Sequence, residues 1–266
     1  MSFVYTKRFG GFCNSLFLWQ FAYRIAEINN YKVAVYKKHF PEFLFLDVPN
    51  TILLDEPPNG ILEIDSNNLN NNFYLEKKEP ISFTCGWNFN SFFSVKKEKP
   101  ISKIKLKDKN LNFLIKQTCS NYIGIHLRRG DYTSIPEAFT PDEWYYDKCL
   151  QNKNEIFYLS TDGTIQDTLF LNNFNIKRYD LFTNNKNLNT INCHYNTNNN
   201  PYKTANHLSL VDPDLMLIKL IDLFSLSYCK KIYASQSTFS ITANLLNGTE
   251  TVYSHDKYFQ VMSKFL

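Results

Sequence analysis

Apolar side chains recur at helical spacing through residues 14–29, at Leu16, Phe17, Trp19, Phe21, Ala22, Ile25, Ala26 and Ile28. That spacing predicts an amphipathic helix. Gly10 and Gly11 come just before it, and Asn14 stands where a cap is expected. Short β-prone runs flank the helix, at residues 3–6 and 31–36. Strand, glycine turn, helix and strand together open a parallel α/β layer. The second half repeats the alternation. Strands are expected at 122–127, 155–160 and 231–234, and helices at 144–150, 214–229 and 239–247. The 214–229 segment is apolar nearly all round, which predicts a buried helix. Gly248 is placed to close the last helix. Between residue 37 and about 118 the pattern is mixed, and the Lys-rich stretch 96–109 with Pro100 reads as a connector. A boundary is therefore expected between 95 and 120. It divides the chain into an N-terminal α/β domain, 1–118, and a C-terminal one, 119–266. Two such layers facing a cleft are the expected architecture.

Composition narrows the class. The chain has 266 residues, 44% of them apolar, which suits folded domains with real cores. A net charge of +4, from 29 basic and 25 acidic residues, is too mild for a nucleic-acid binder. No run of about 20 apolar residues offers a transmembrane span. The first residues do not read as a signal peptide, so a cytoplasmic protein, bacterial or viral, is expected. The six cysteines are scattered, without Cys-x-x-Cys or metal-ligand spacing. Reduced thiols fit them better than disulfides or zinc.

Three strand ends carry candidate chemistry. The first is His126-Leu127-Arg128-Arg129-Gly130-Asp131, where a buried strand stops. In open α/β sheets ligands bind beyond the carboxyl ends of the strands. Arginine's forked, permanent charge suits phosphate. Adjacent arginines should point apart. One reaches a ligand; the other, Arg129, braces the fold against a carboxylate such as Asp131. A purely structural Arg–Asp pair is the competing reading. The second is Ser235-Gln236-Ser237-Thr238-Phe239-Ser240, between a strand and a helix. Free N–H groups at that helix start favour an anion, although simple N-capping would use the same hydroxyls. The third is Asp162, either a ligand carboxylate or the start of a turn with Gly163. Together they describe a pocket for a diphosphate with a polar head. Asp212 and Asp214 could hold a divalent cation, but they directly precede a helix, and capping reads better.

These residues resemble the fucosyltransferases that share a His-x-Arg-Arg-x-Asp motif, closest to glycosyltransferase family 11 (α-1,2). The α-1,6- and protein O-fucosyltransferases are more distant. Gly10-Gly11-Phe12-Cys13-Asn14-Ser15 is similar to the family's Gly-Gly-x-Gly-Asn-Gln, departing at Cys13 and Ser15. Ser160-Thr161-Asp162 resembles Ser-Asp-Asp, with Gly163 in place of an acid, and Ser237-Thr238-Phe239-Ser240 resembles Ser-Ser-Phe-Ser. The family's following Trp pair is replaced by Ile241-Thr242.

The resemblance implies an α/β, GT-B-like fold of two Rossmann-like domains. It implies inverting, metal-independent transfer of fucose from GDP-fucose to a glycan hydroxyl, with no cofactor. Arg128 would bind the diphosphate and stabilise the leaving GDP. His126 and Asp162 would hold the nucleoside; Ser235, Ser237, Thr238, Phe239 and Ser240 would line the donor site. Gly11 and Asn14 would face the cleft. Glu137 is the candidate base, with Asp131 competing. Another nucleotide-deoxysugar donor, such as a rhamnosyl donor, is an alternative, as is a member that binds without catalysis.

Overall fold

The computed structural model describes residues 3–8, 11–60, 62–65, 81–84, 100–130, 139–164, 166–182 and 213–254; for 62–65, 81–84 and 213–215 the backbone alone is described. The chain forms two compact units.

The first unit holds the parallel sheet β4-β2-β1-β6-β5. Its strands are β1 (Phe3–Thr6), β2 (Lys32–Tyr36), β4 (Thr51–Leu54), β5 (Leu62–Asp65) and β6 (Ile81–Thr84). A two-residue strand, β3 (Leu46–Asp47), pairs with β7 (Lys105–Leu106). Helix α1 (Phe12–Ile28) crosses from β1 to β2. It starts two residues earlier than its apolar spacing suggests. Gly11, not Asn14, is the N-cap, and its carbonyl accepts from Ser15 N at 3.1 Å. Cys13 therefore sits in the first helical turn, where ordinary helical backbone requires no glycine. The helix lays Leu16, Phe17, Trp19 and Ala26 into the core. Trp19 meets Phe43 edge-on at 6.3 Å, and its indole N–H donates to Thr51 Oγ1 at 2.9 Å.

The second unit begins at Leu106. The division thus falls ahead of residue 118, because helix α2 (Lys109–Cys119) packs on helix α4 (Pro213–Tyr228). Asp108 caps α2, accepting from the N–H groups of Asn110 and Leu111. The parallel sheet runs β10-β9-β8-β11-β12. Its strands are β8 (Ile123–Leu127), β9 (Ile156–Thr161), β10 (Asn175–Lys177), β11 (Lys231–Ala234) and β12 (Thr251–Tyr253). Both faces of the central strands are covered, so they read as continuous apolar runs. Ile123, Ile125, Leu127, Phe157 and Leu159 pack with Tyr145 and Cys149 of helix α3 (Asp142–Gln151). On the other face α4 presses close. A Cβ on Gly124 would stand 2.9 Å from Leu226 Cδ2, so this strand position admits no side chain without a shift. Helix α5 (Thr238–Asn247) packs beside α4 and ends at Gly248, whose φ of 71° is left-handed. The four described cysteines, Cys13, Cys119, Cys149 and Cys229, are buried thiols. Among the described residues no helix is long and apolar enough to cross a membrane.

Candidate functional site

Register assembles the site. Leu127 of β8 pairs with Thr161 of β9, and His126 pairs with Ala234 of β11. The next residues along each strand, Arg128, Asp162 and Ser235, therefore leave one sheet edge side by side. Hydrogen bonds fasten them there. Ser235 N donates to the His126 carbonyl at 3.0 Å, and Arg128 N donates to Ser235 Oγ at 3.1 Å. Tyr145 reaches in from α3. Its hydroxyl lies 2.8 Å from the His126 carbonyl oxygen and 2.6 Å from Ser235 Oγ.

The two arginines serve different partners. Arg129 is buried. Nη1 donates to the Thr140 carbonyl at 2.8 Å, Nη2 pairs with Asp142, and the guanidinium lies 4.7 Å from the Phe139 ring centroid. Its carboxylate is thus Asp142; Asp131 lies outside the described residues, as does Glu137. Arg128 keeps a third of its side chain exposed and pairs through Nη1 with Asp162. Asp162 Oδ1 also accepts from Arg129 N at 2.6 Å. The 162–163 turn is locked by Thr161 Oγ1, which donates to the Leu127 carbonyl and accepts from Gly163 N.

The loop after β11 divides its labour. Ser237 is the N-cap of α5, its hydroxyl accepting from Ser240 N at 3.3 Å. Ser240 is buried and donates to the Ser235 and Ser237 carbonyls. Ser235 is fully buried as well. The hydroxyls of Ser235 and Ser240 are therefore committed beneath the site. Thr238 and Phe239 open α5, where backbone N–H groups have no intrahelical acceptor and the helix dipole is positive. Phe239 stacks on His126 with centroids 5.2 Å apart. Ile241 and Thr242 are buried within α5, so the position of the family's Trp pair is a packing position here.

His126 is 4% exposed, and its Nδ1 has no hydrogen-bond partner. Burial pushes the imidazole down to about 4, outweighing the neighbouring Asp162 carboxylate. It is neutral at physiological pH. Gly11 and Asn14 belong to the first unit, at the start of α1. The Asp212–Asp214 pair falls outside the described side chains.

Asp222 is a buried acid that no sequence motif marks. This α4 carboxylate is nearly buried, accepting from Tyr158 Oη at 2.7 Å and Ser160 Oγ at 3.2 Å. An acid in the middle of an apolar helix is the signal that could have found it. Burial raises it to about 7. Asp222 and His126 oppose each other in pH dependence. Between about pH 4 and 7 the folded chain keeps the Asp222 proton that the unfolded chain has lost, so rising pH costs stability. Between about pH 4 and 6.5 the unfolded chain protonates a histidine that the folded chain keeps neutral, so rising pH adds stability. We expect Asp222→Asn to gain, relative to wild type, on the order of 4 kcal/mol between pH 4 and pH 8. His126→Gln should lose on the order of 3 kcal/mol over the same range. Urea midpoints measured from pH 4 to 8 check this. Two variant profiles parallel to wild type would refute it.

No protein-family model matches the chain, and no curated protein does. Solved structures do. The α-1,6-fucosyltransferase NodZ, soaked with GDP-fucose, superposes with a TM-score of 0.55 at 13% identity, over 92% of each chain. The fucosyltransferase NodZ from Bradyrhizobium gives 0.54 at 12%, over 92% of this chain and 93% of that one. POFUT1 in complex with GDP gives 0.57 at 9%, over 95% and 98%. At such identities the likeness is one of fold. The chain has the α/β, GT-B-like fold of the fucosyltransferases NodZ and POFUT1.

Proposed function

We propose that the chain is a glycosyltransferase that moves fucose from GDP-fucose to a glycan hydroxyl, with inversion and without a metal. The observation that carries this reading is the edge of the second sheet. A one-third-exposed Arg128, the open N-terminus of α5 and a neutral, buried His126 stand together there. The resemblance to family 11 and the shared fold support the same reading.

Negative charge develops on the departing GDP while the sugar becomes oxocarbenium-like. Arg128 meets that charge with forked N–H donors. The N–H groups of Thr238 and Phe239 take phosphate oxygens. Positive charge is thus supplied by the chain itself, which is why no metal enters the proposal. His126, stacked on Phe239, is assigned to the nucleoside on the strength of the resemblance. The base belongs to Glu137, with Asp131 as the competitor, on the strength of the resemblance alone.

The test is release of nucleoside diphosphate from GDP-fucose, with EDTA and with Mg²⁺, beside a dTDP-rhamnose arm. GDP release that EDTA leaves unchanged is the expected result. Release from dTDP-rhamnose alone would favour another deoxysugar donor, the alternative left open by the departures at Cys13, Ser15 and Gly163. Release from neither, with GDP still bound, would make this a binding protein. Glu137→Gln leaving turnover intact would remove that residue from the base's role.

A further inference from the structure

We infer that Asp162 is a positioning residue for Arg128, holding the guanidinium in place before a ligand arrives. The inference rests on the reading of Arg128 as the diphosphate ligand, and it gives Asp162 a different task from the nucleoside contact that the resemblance implies.

Both oxygens of Asp162 face donors from the end of β8. Oδ1 accepts the Arg129 backbone N–H at 2.6 Å, and Oδ2 pairs with Arg128 Nη1. One carboxylate therefore fastens the backbone of one residue and the side chain of the residue before it. Only a double acceptor can do this. In asparagine one of the two atoms is an NH₂ group, which would meet a donor whichever way the amide turned.

The turn beneath Asp162 is built close. Thr161 Oγ1 is 2.7 Å from the Leu127 carbonyl oxygen and 2.9 Å from Gly163 N. A Cβ on Gly163 would stand 3.0 Å from Arg129 Cγ. Glycine, where the resemblance expects an acid, lets the turn press against Arg129 and brings Asp162 onto Arg128. The pair is shielded without being sealed: the Asp162 side chain is 21% exposed and that of Arg128 33%. A guanidinium has five N–H donors in one plane. Engaging Nη1 fixes that plane, and an anion would meet the guanidinium on the third of the side chain that is exposed. The opposite role, a brake that competes with the diphosphate for Arg128, uses the same contact and predicts the opposite effect on binding.

Asp162→Asn and Asp162→Glu are compared with wild type for binding of GDP, inorganic pyrophosphate and guanosine. If Asp162 positions Arg128, the asparagine variant binds GDP and pyrophosphate roughly 10- to 100-fold more weakly, the loss of one hydrogen bond to a charged group. Guanosine binding stays unchanged, and glutamate, a double acceptor, restores part of the loss. The Arg128 Nε–H resonance, assigned through Arg128→Lys, is sharp in wild type and broadened in the asparagine variant. GDP binding that is equal or tighter in the asparagine variant overturns the inference in favour of a brake. A parallel loss for guanosine overturns it in favour of a nucleoside contact. Wild-type protein that binds neither GDP nor pyrophosphate defeats the functional reading instead. The Arg128 resonance still decides the positioning role in that case, and an unchanged line in the asparagine variant rejects it.

Discussion

Replacing Arg128 by alanine is expected to lower turnover of GDP-fucose by roughly 10²- to 10³-fold, the cost of losing one preorganised donor to developing charge. The effect should fall mainly on kcat, because the charge on the leaving diphosphate grows toward the transition state. Arg128→Lys should recover only part of it, since an ammonium is a point charge without the planar fork. The fold should survive, because the side chain is one-third exposed and the Asp162 left behind reaches solvent. Steady-state kinetics on the two variants, with circular dichroism as the folding control, check the expectation. Full turnover in the alanine variant would remove Arg128 from the mechanism.

The second large effect lies in the first unit and concerns stability. Arg8 follows β1 and is buried against Glu42, with side chains 5% and 6% exposed. Its Nη1 reaches both Glu42 oxygens, at 3.0 and 2.8 Å, and the His39 carbonyl at 3.0 Å. This one guanidinium ties the chain leaving β1 to the turn at Pro41–Leu44. Burying two charges is expensive, so the pair as a whole contributes little. Removing one member is another matter, because the other stays buried and uncompensated. Arg8→Met is expected to destabilise by about 3–5 kcal/mol, and Glu42→Leu by a similar amount. For a chain of this size that lowers the melting temperature by roughly 6–20 °C. The double variant should recover most of the loss, leaving a large coupling in the double-mutant cycle. Single variants that melt with wild type, or a double variant as damaged as the sum, would contradict this.

How far the fold could be read in advance depended on how each element is covered. Strand β8, Ile123-Gly124-Ile125-His126-Leu127, is enclosed on both faces, so an uninterrupted apolar run marked it plainly. Helix α4 was equally plain for the same reason. The start of α1 was displaced because Gly11 caps it without a side-chain bond, and Phe12 and Cys13 look like core rather than boundary. Between 37 and 118 the signals are weak for physical reasons. Strand β4 is only half-buried along its length, with no alternation to read. Helix α2 leaves Phe113 and Leu114 exposed and buries Ile115 and Cys119, so its apolar residues do not mark one face.

At the site, the strand ends carrying Arg128, Asp162 and Ser235 were legible because a parallel register brings successive strand ends to one edge. The direction of each side chain was not. Ser235 and Ser240 look like ligand hydroxyls until the bonds of the first to Tyr145 and Arg128 N, and of the second to the loop's own carbonyls, are seen. Asp142, the partner of Arg129, stands at the start of another helix. Asp131 was nearer in sequence, and sequence distance gave no reason to prefer the farther carboxylate.

On the proposed function, the second unit holds a guanosine diphosphate through Arg128. Thermal unfolding with GDP, UDP and dTDP side by side, without metal, tests it most directly. At about 100 times its dissociation constant, a ligand adds about 2.7 kcal/mol. A rise of roughly 5–10 °C is expected with GDP alone, abolished in Arg128→Ala. A shift with UDP or dTDP instead, or a GDP shift that survives Arg128→Ala, would contradict it.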